Sequence, residues 1–159
     1  MVKTNLEETL KKALQELKRA DHIFYVSLKY ARTVDVMRNL IERLIASLEY
    51  QAETIAKKRH EEGKIEELPE SKPERAAIIM SLKEDKDAKK IIEMLLYLRK
   101  IRRSNFERSK EFRKNVTMTV FLDEGIKEIT IEDLKEYLNQ VQQYFEETYK
   151  LIKGEESLL

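Results

Sequence analysis

The sequence predicts a mainly α-helical, single-domain protein: a four-helix up-and-down bundle with a small β-hairpin between the third and fourth helices. Three observations carry this. Apolar residues recur at three- and four-residue spacing along four segments. The main chain breakers are scarce, with three glycines and two prolines in 159 residues. One stretch alone, VTMTVFLDEGIKEIT at 116–130, alternates apolar and polar residues with period two. A chain of this length forms one domain, 1–159, with a real core.

Thr4 and Glu7 form a capping box, each side chain serving a backbone N–H at a helix start. Leu6, Leu10, Ala13, Leu14, Leu17, Ala20 and Phe24 then make one apolar stripe on a helix over about 5–30. ARTVD interrupts it, and Thr33 caps the second helix. The second stripe is the strongest: Met37, Leu40, Ile41, Leu44, Ile45, Leu48, Ala52 and Ile55, with Gly63 as the C-terminal cap. The short connection makes these two helices antiparallel neighbours. EEGKIEELPESKPE spans an acidic, proline-bearing loop at 62–73, and Pro73 fits the first turn of a short helix over 73–83. Asp85 or Asp87 caps a third long helix through Ile91, Ile92, Leu95, Leu96, Leu98 and Ile101, reaching 103–110. A hairpin over 115–131 follows, with Gly125 in the turn at a position needing positive φ. Thr130 and Asp133 start the last helix, whose stripe is Leu134, Leu138, Val141, Phe145, Thr148 and Leu151 or Ile152. Gly154 ends it before a tail at 154–159.

Composition excludes several functions. With no cysteine there is no disulfide, iron–sulfur cluster, thiolate zinc site or cysteine nucleophile. The density of Lys and Glu without Cys is that of a hyperthermophile's protein. No apolar run approaches the roughly 18 residues that span a membrane, and MVKTNLEETLKK lacks an apolar signal region, so no membrane partner is expected and the cytoplasm is the expected compartment. Scattered glycines give no phosphate-cradling loop, and there is no Gly-x-Ser-x-Gly elbow. No cofactor is expected. Glu-x-x-His spacing is absent and the two histidines are isolated, so no metal site is expected either. His22, beside Asp21 and opposite Glu42 and Arg43 on the second helix, reads as a hydrogen-bonded structural group rather than a ligand or base. Asp35, Glu42 and Glu49 recur every seven residues along one face. With Arg38 four residues before Glu42, they read as helix-surface ion pairs.

Net charge is +1, but residues 99–114 hold eight basic and two acidic side chains, and residues 123–159 hold four basic and ten acidic. Such asymmetry marks a surface for an anionic partner, or two patches that meet each other within the molecule or across a dimer. In the basic stretch, Lys100, Arg102, Arg103, Arg108, Lys110, Arg113 and Lys114 suit phosphates, and Phe106 or Phe112 suits an unpaired base. The competing reading is a solvated helix end whose cations complement the helix dipole.

Two long antiparallel helices, a third ending in an Arg- and Asn-containing turn, an extended segment and a final amphipathic helix resemble the HEPN superfamily. LKRADHIFYVSLKYARTVDVMRNLIERLI (17–45) and SNFERSKEFRKN (104–115) look like a group of archaeal helical-bundle proteins. Catalytic HEPN proteins are metal-independent ribonucleases with an Arg-x(4–6)-His motif at the end of the third helix. Arg102, Arg103 and Asn105 stand in that neighbourhood, but Arg108 and Ser109 occupy the place of the histidine. The resemblance therefore implies a degenerate nuclease centre, no catalytic residues, and a homodimer with two Arg-bearing ends in one cleft. The expected function is non-enzymatic binding of nucleic acid, RNA first, or of another anionic partner. Arg99, Arg102, Arg103, Arg108 and Arg113 would contact phosphate, with Asn105 and Phe106 at the cleft. The alternatives are a protein-interaction module, antitoxin-like or a complex subunit, that uses the bundle or the hairpin edge, and a residual metal-independent ribonuclease.

Overall fold

A computed structural model of the chain describes residues 2–65, 79 and 81–154, with side chains from residue 6 onward. The described residues are mainly helical, with one small antiparallel sheet. Helix α1 runs Val2–His22 and continues through a π-helical turn, Ile23–Ser27, into a last turn, Leu28–Tyr30. α2 is Val34–Glu61, α3 Lys89–Arg103 and α4 Ile131–Lys153. Strands β1 (Asn105–Ser109), β2 (Thr117–Leu122) and β3 (Gly125–Ile129) pair in that order. The capping box expected of Thr4 and Glu7, most of the 62–73 loop and the short helix over 73–83, and the tail beyond Gly154 lie outside the described residues or side chains.

The local signals act where expected. Thr33 Oγ1 accepts from Val36 N at 3.3 Å and starts α2. Gly63, at φ +77, ends it: Gly63 N donates to His60 O and Lys64 N to Arg59 O, so two last-turn carbonyls are satisfied by a residue that adopts positive φ without steric cost. Thr130 and Asp133 form a complete capping box on α4.

α2 is the hub, packing against α1, α3 and α4. Its direction is opposite to that of α1, because the contacts Glu16–Arg43, Ala13–Ser47 and Thr9–Lys57 run in reverse order along the two helices. Met37, Leu40, Leu44, Leu48 and Ile55 are fully buried in the core, each contributing about 1.5–3 kcal/mol. Leu96, expected on the α3 stripe, is half-exposed instead. Ile92, Leu95 and Ile101 already fill the inward face, and a residue one position past Leu95 is turned about 100° away from it. Two buried polar side chains of α2 reach neighbouring helices: Ser47 Oγ donates to Ala13 O at 2.9 Å, and Gln51 Nε2 reaches Val141 O as well as Ser47 Oγ. Glu16, 6% exposed, is held by Arg43 at 2.9 Å and by Arg19. The polar cluster expected around His22 forms at Glu16 instead, six residues earlier and nearly two turns away, and His22 is exposed.

The hairpin is one part of a three-stranded sheet. α3 stops at Arg103, because Ser104 is extended (φ −83, ψ 154) and its hydroxyl donates to Lys100 O at 2.6 Å. Asn105–Ser109 then pairs with Thr117–Phe121 rather than extending the helix toward 110. Five residues with a single apolar member carry too short a pattern to distinguish strand from helix. β1 is a charged edge strand, and such edges resist further pairing. Gly125, at φ +140, opens β3 directly after the two-residue turn Asp123–Glu124.

Candidate functional site

The heptad carboxylates of α2 and the arginines of the basic stretch turn out to be one feature. Seven-residue spacing keeps Asp35, Glu42 and Glu49 in one stripe, with a drift of only about 20° per repeat. α3 and β1 run antiparallel beside it. Glu49 pairs with Arg99 at 2.6 Å, Glu42 with Arg102 at 3.5 Å and Asp35 with Arg108 at 2.9 Å. These are surface ion pairs, but they are made between elements and not within α2.

Arg38 does not pair with Glu42. Its Nη2 donates to Arg102 O at 3.0 Å, and its guanidinium lies 4.2 Å from the Phe106 ring centroid. Arg108 lies over the same ring at 5.3 Å. Phe106 is therefore engaged by two cations of the chain itself and packs half-buried on the core. Arg99, Arg102 and Arg108 each hold a carboxylate, and Asn105 stands on the outer face of the sheet opposite Phe121. Arg103 and Arg113 are exposed with no carboxylate partner among the described residues. The length of β1, roughly 17 Å at 3.4 Å per residue, separates them. The seven candidate residues thus divide into four that are engaged within the chain (Arg99, Arg102, Phe106 and Arg108), Asn105 on the outer face of the sheet, and two separate exposed arginines.

The described part of the acidic C-terminal region neutralises little of the basic stretch. Among the described residues only Glu124 reaches it, bonding Lys100 at 2.8 Å, and that contact holds the Glu124 carboxyl below its ordinary range.

What sequence reading missed is the tip where the 110–116 loop meets the α1–α2 turn. Phe112 N donates to Arg32 O at 2.7 Å. Glu111 Oε2 accepts from Val34 N at 2.8 Å, placing a carboxylate on the first turn of α2, where the helix dipole favours it. Arg108 bridges Glu111 and Asp35. The tip therefore holds six cations, Lys29, Arg32, Arg108, Lys110, Arg113 and Lys114, against two carboxylates that Arg108 already engages. Lys29, Arg32, Lys110, Arg113 and Lys114 have no carboxylate partner among the described residues. The only available signal was the charge of each segment, and the 76 residues of intervening chain, 34–109, hid their meeting.

At the opposite end of α2, Arg59 is 8% exposed and bonds Asp85 at 2.6 Å, Asp87 and Glu62. Burial works against the Asp85 charge, but the Arg59 hydrogen bond and charge, with the N–H groups of Asp87 and Ala88, hold its carboxyl below the ordinary value. Asp85 thus caps the turn ahead of α3, as a structural joint. No group of three metal-ligating side chains occurs among the described residues, and no described helix is long and apolar enough to cross a membrane. Comparison with known protein families, curated proteins and solved structures finds no match to the chain.

Proposed function

We propose that the chain is a non-enzymatic, HEPN-like up-and-down helical bundle, homodimeric, that binds nucleic acid, RNA in the first place, through the backbone phosphates. One observation carries this reading: two chain segments are hydrogen-bonded into a tip where five cations have no carboxylate partner among the described residues. Cations without an internal partner are those available to release counterions from a polyanion. The reading moves the contact from Arg99, Arg102 and Arg108 to Lys29, Arg32, Lys110, Arg113 and Lys114, with Arg103 as an outlying contact.

The test is fluorescence anisotropy of labelled RNA against a salt series. Replacing Lys110, Arg113 and Lys114 together by Ala is expected to weaken binding at least tenfold at low salt. It lowers the log–log salt slope by about 2, at about 0.7 per phosphate for single strands. Arg99→Ala leaves both unchanged. Absence of binding by the wild type at low salt overturns the reading. Light scattering with size exclusion tests the dimer.

A protein-interaction module is the second reading, favoured by the cross-strand pair Phe121 and Ile126, 40% and 69% exposed on the outer face of the sheet. It predicts salt-tolerant partner binding that is lost on Ile126→Lys. Residual ribonuclease activity has less support, since Arg102 is tied to Glu42 and no histidine follows Arg102 or Arg103 at the motif spacing.

A further inference from the structure

We infer that Phe112 is a stacking platform for an unpaired base, so that the tip takes single-stranded rather than duplex nucleic acid. This rests on the phosphate-binding reading of the same tip and adds a strand preference to it. Phe112 is 75% exposed, the most exposed phenylalanine among the described residues. Its backbone, at φ +65, lies in the left-handed region that bulky residues rarely enter, and Lys110 shares that region at φ +54. Two contacts hold it there: its own N–H on Arg32 O, and the preceding residue's carboxylate on Val34 N. The chain thus fixes the loop backbone at a conformational cost, with the ring left in solvent. Tyr30, 84% exposed, stands two residues before the Arg32 that anchors the loop.

The surroundings point to the occupant. Lys110, Arg113 and Lys114 flank the ring in sequence and have no carboxylate partner among the described residues, so the ring stands among groups that suit phosphate. A cationic groove with a free aromatic face is what single strands require: phosphates lie on the cations and a base lies on the ring, whatever its identity. In a duplex the base faces are stacked on each other and offer the ring nothing. Phe106, the other aromatic of the basic stretch, suits the role less, because it is half-buried on the core and Arg38 and Arg108 already lie over its ring.

The chain contains no tryptophan, so Phe112→Trp installs a single reporter on the platform. Anisotropy is measured on a labelled oligouridine and on an RNA duplex of equal length, for wild type, Phe112→Ala, Phe112→Trp and the Lys110/Arg113/Lys114 triple alanine. Phe112→Ala is expected to weaken oligouridine binding about tenfold, with the salt slope and the duplex affinity unchanged and the circular dichroism of the wild type. Phe112→Trp restores affinity, and its emission is quenched as oligouridine binds. If Phe112→Ala binds oligouridine as wild type does while the triple variant fails, the platform is refuted and phosphate binding stands. Unquenched tryptophan in a bound complex refutes it equally. If wild type binds neither RNA, both readings fall together.

Discussion

Residues 99–108 and 110–114 are alike in sequence, both arginine- and lysine-rich with one phenylalanine each, yet their structural roles differ. In the first, every arginine except Arg103 meets a carboxylate from α2, and Phe106 lies under two guanidinium groups. In the second, the cations have no described partner and Phe112 stands in solvent. The difference teaches that charge density along a chain does not locate a binding surface. What locates it is charge left over after the neighbouring elements have been satisfied. Composition sees the total, and only packing gives the remainder.

The contrast can be sharpened by asking what holds the paired region. Leu98 is fully buried in α3, one position before the rung formed by the ion-paired Arg99. Leu98→Ala should cost about 2–5 kcal/mol in urea unfolding, several times any single rung. A smaller loss than one rung would mean that the ladder, not the core, fixes α3.

Arg59 is the paired state at its most buried, and its partner gives a pH test. The depressed Asp85 pKa contributes stability that is fully present above its unfolded value near 3.8 and is lost as pH falls through the lower folded value. Asp85→Asn should destabilise by about 2 kcal/mol at neutral pH, since Arg59 keeps Asp87 and Glu62. Between pH 5 and 3, the urea midpoint of the variant should then fall less steeply than that of the wild type. Parallel curves would show that Asp85 contributes no pH-dependent stability.

The smallest effects bear most directly on the comparison. A double-mutant cycle on Glu42 and Arg102, both about 40% exposed, should return roughly 0.2–1 kcal/mol of coupling. Arg113→Ala should leave stability within about 0.5 kcal/mol of wild type, because it breaks no side-chain hydrogen bond or ion pair among the described residues. A zero in the cycle together with a large loss at Arg113 would reverse the assignment of paired and unpaired groups.

Four helices were legible because each needs only its own period and its own caps. The stripes of α2 and α4 are buried almost residue for residue, and Thr33, Gly63, Thr130 and Gly154 act at the ends the spacing assigns. β1 was not legible, because a five-residue edge strand with one apolar residue draws its stability from β2 and not from its own pattern.

The sequence by itself therefore determined the helices, the turns around Gly63 and Gly125, the β2–β3 hairpin and the presence of a basic stretch, all through local periodicity and backbone conformation. Tertiary structure decided which of those cations are neutralised, that the acidic stripe of α2 and not the acidic C-terminal region does it, and that Phe112 meets the α1–α2 turn. These outcomes depend on groups that are distant in the chain and brought within about 3 Å by packing. No local signal specifies such a meeting before the core has formed.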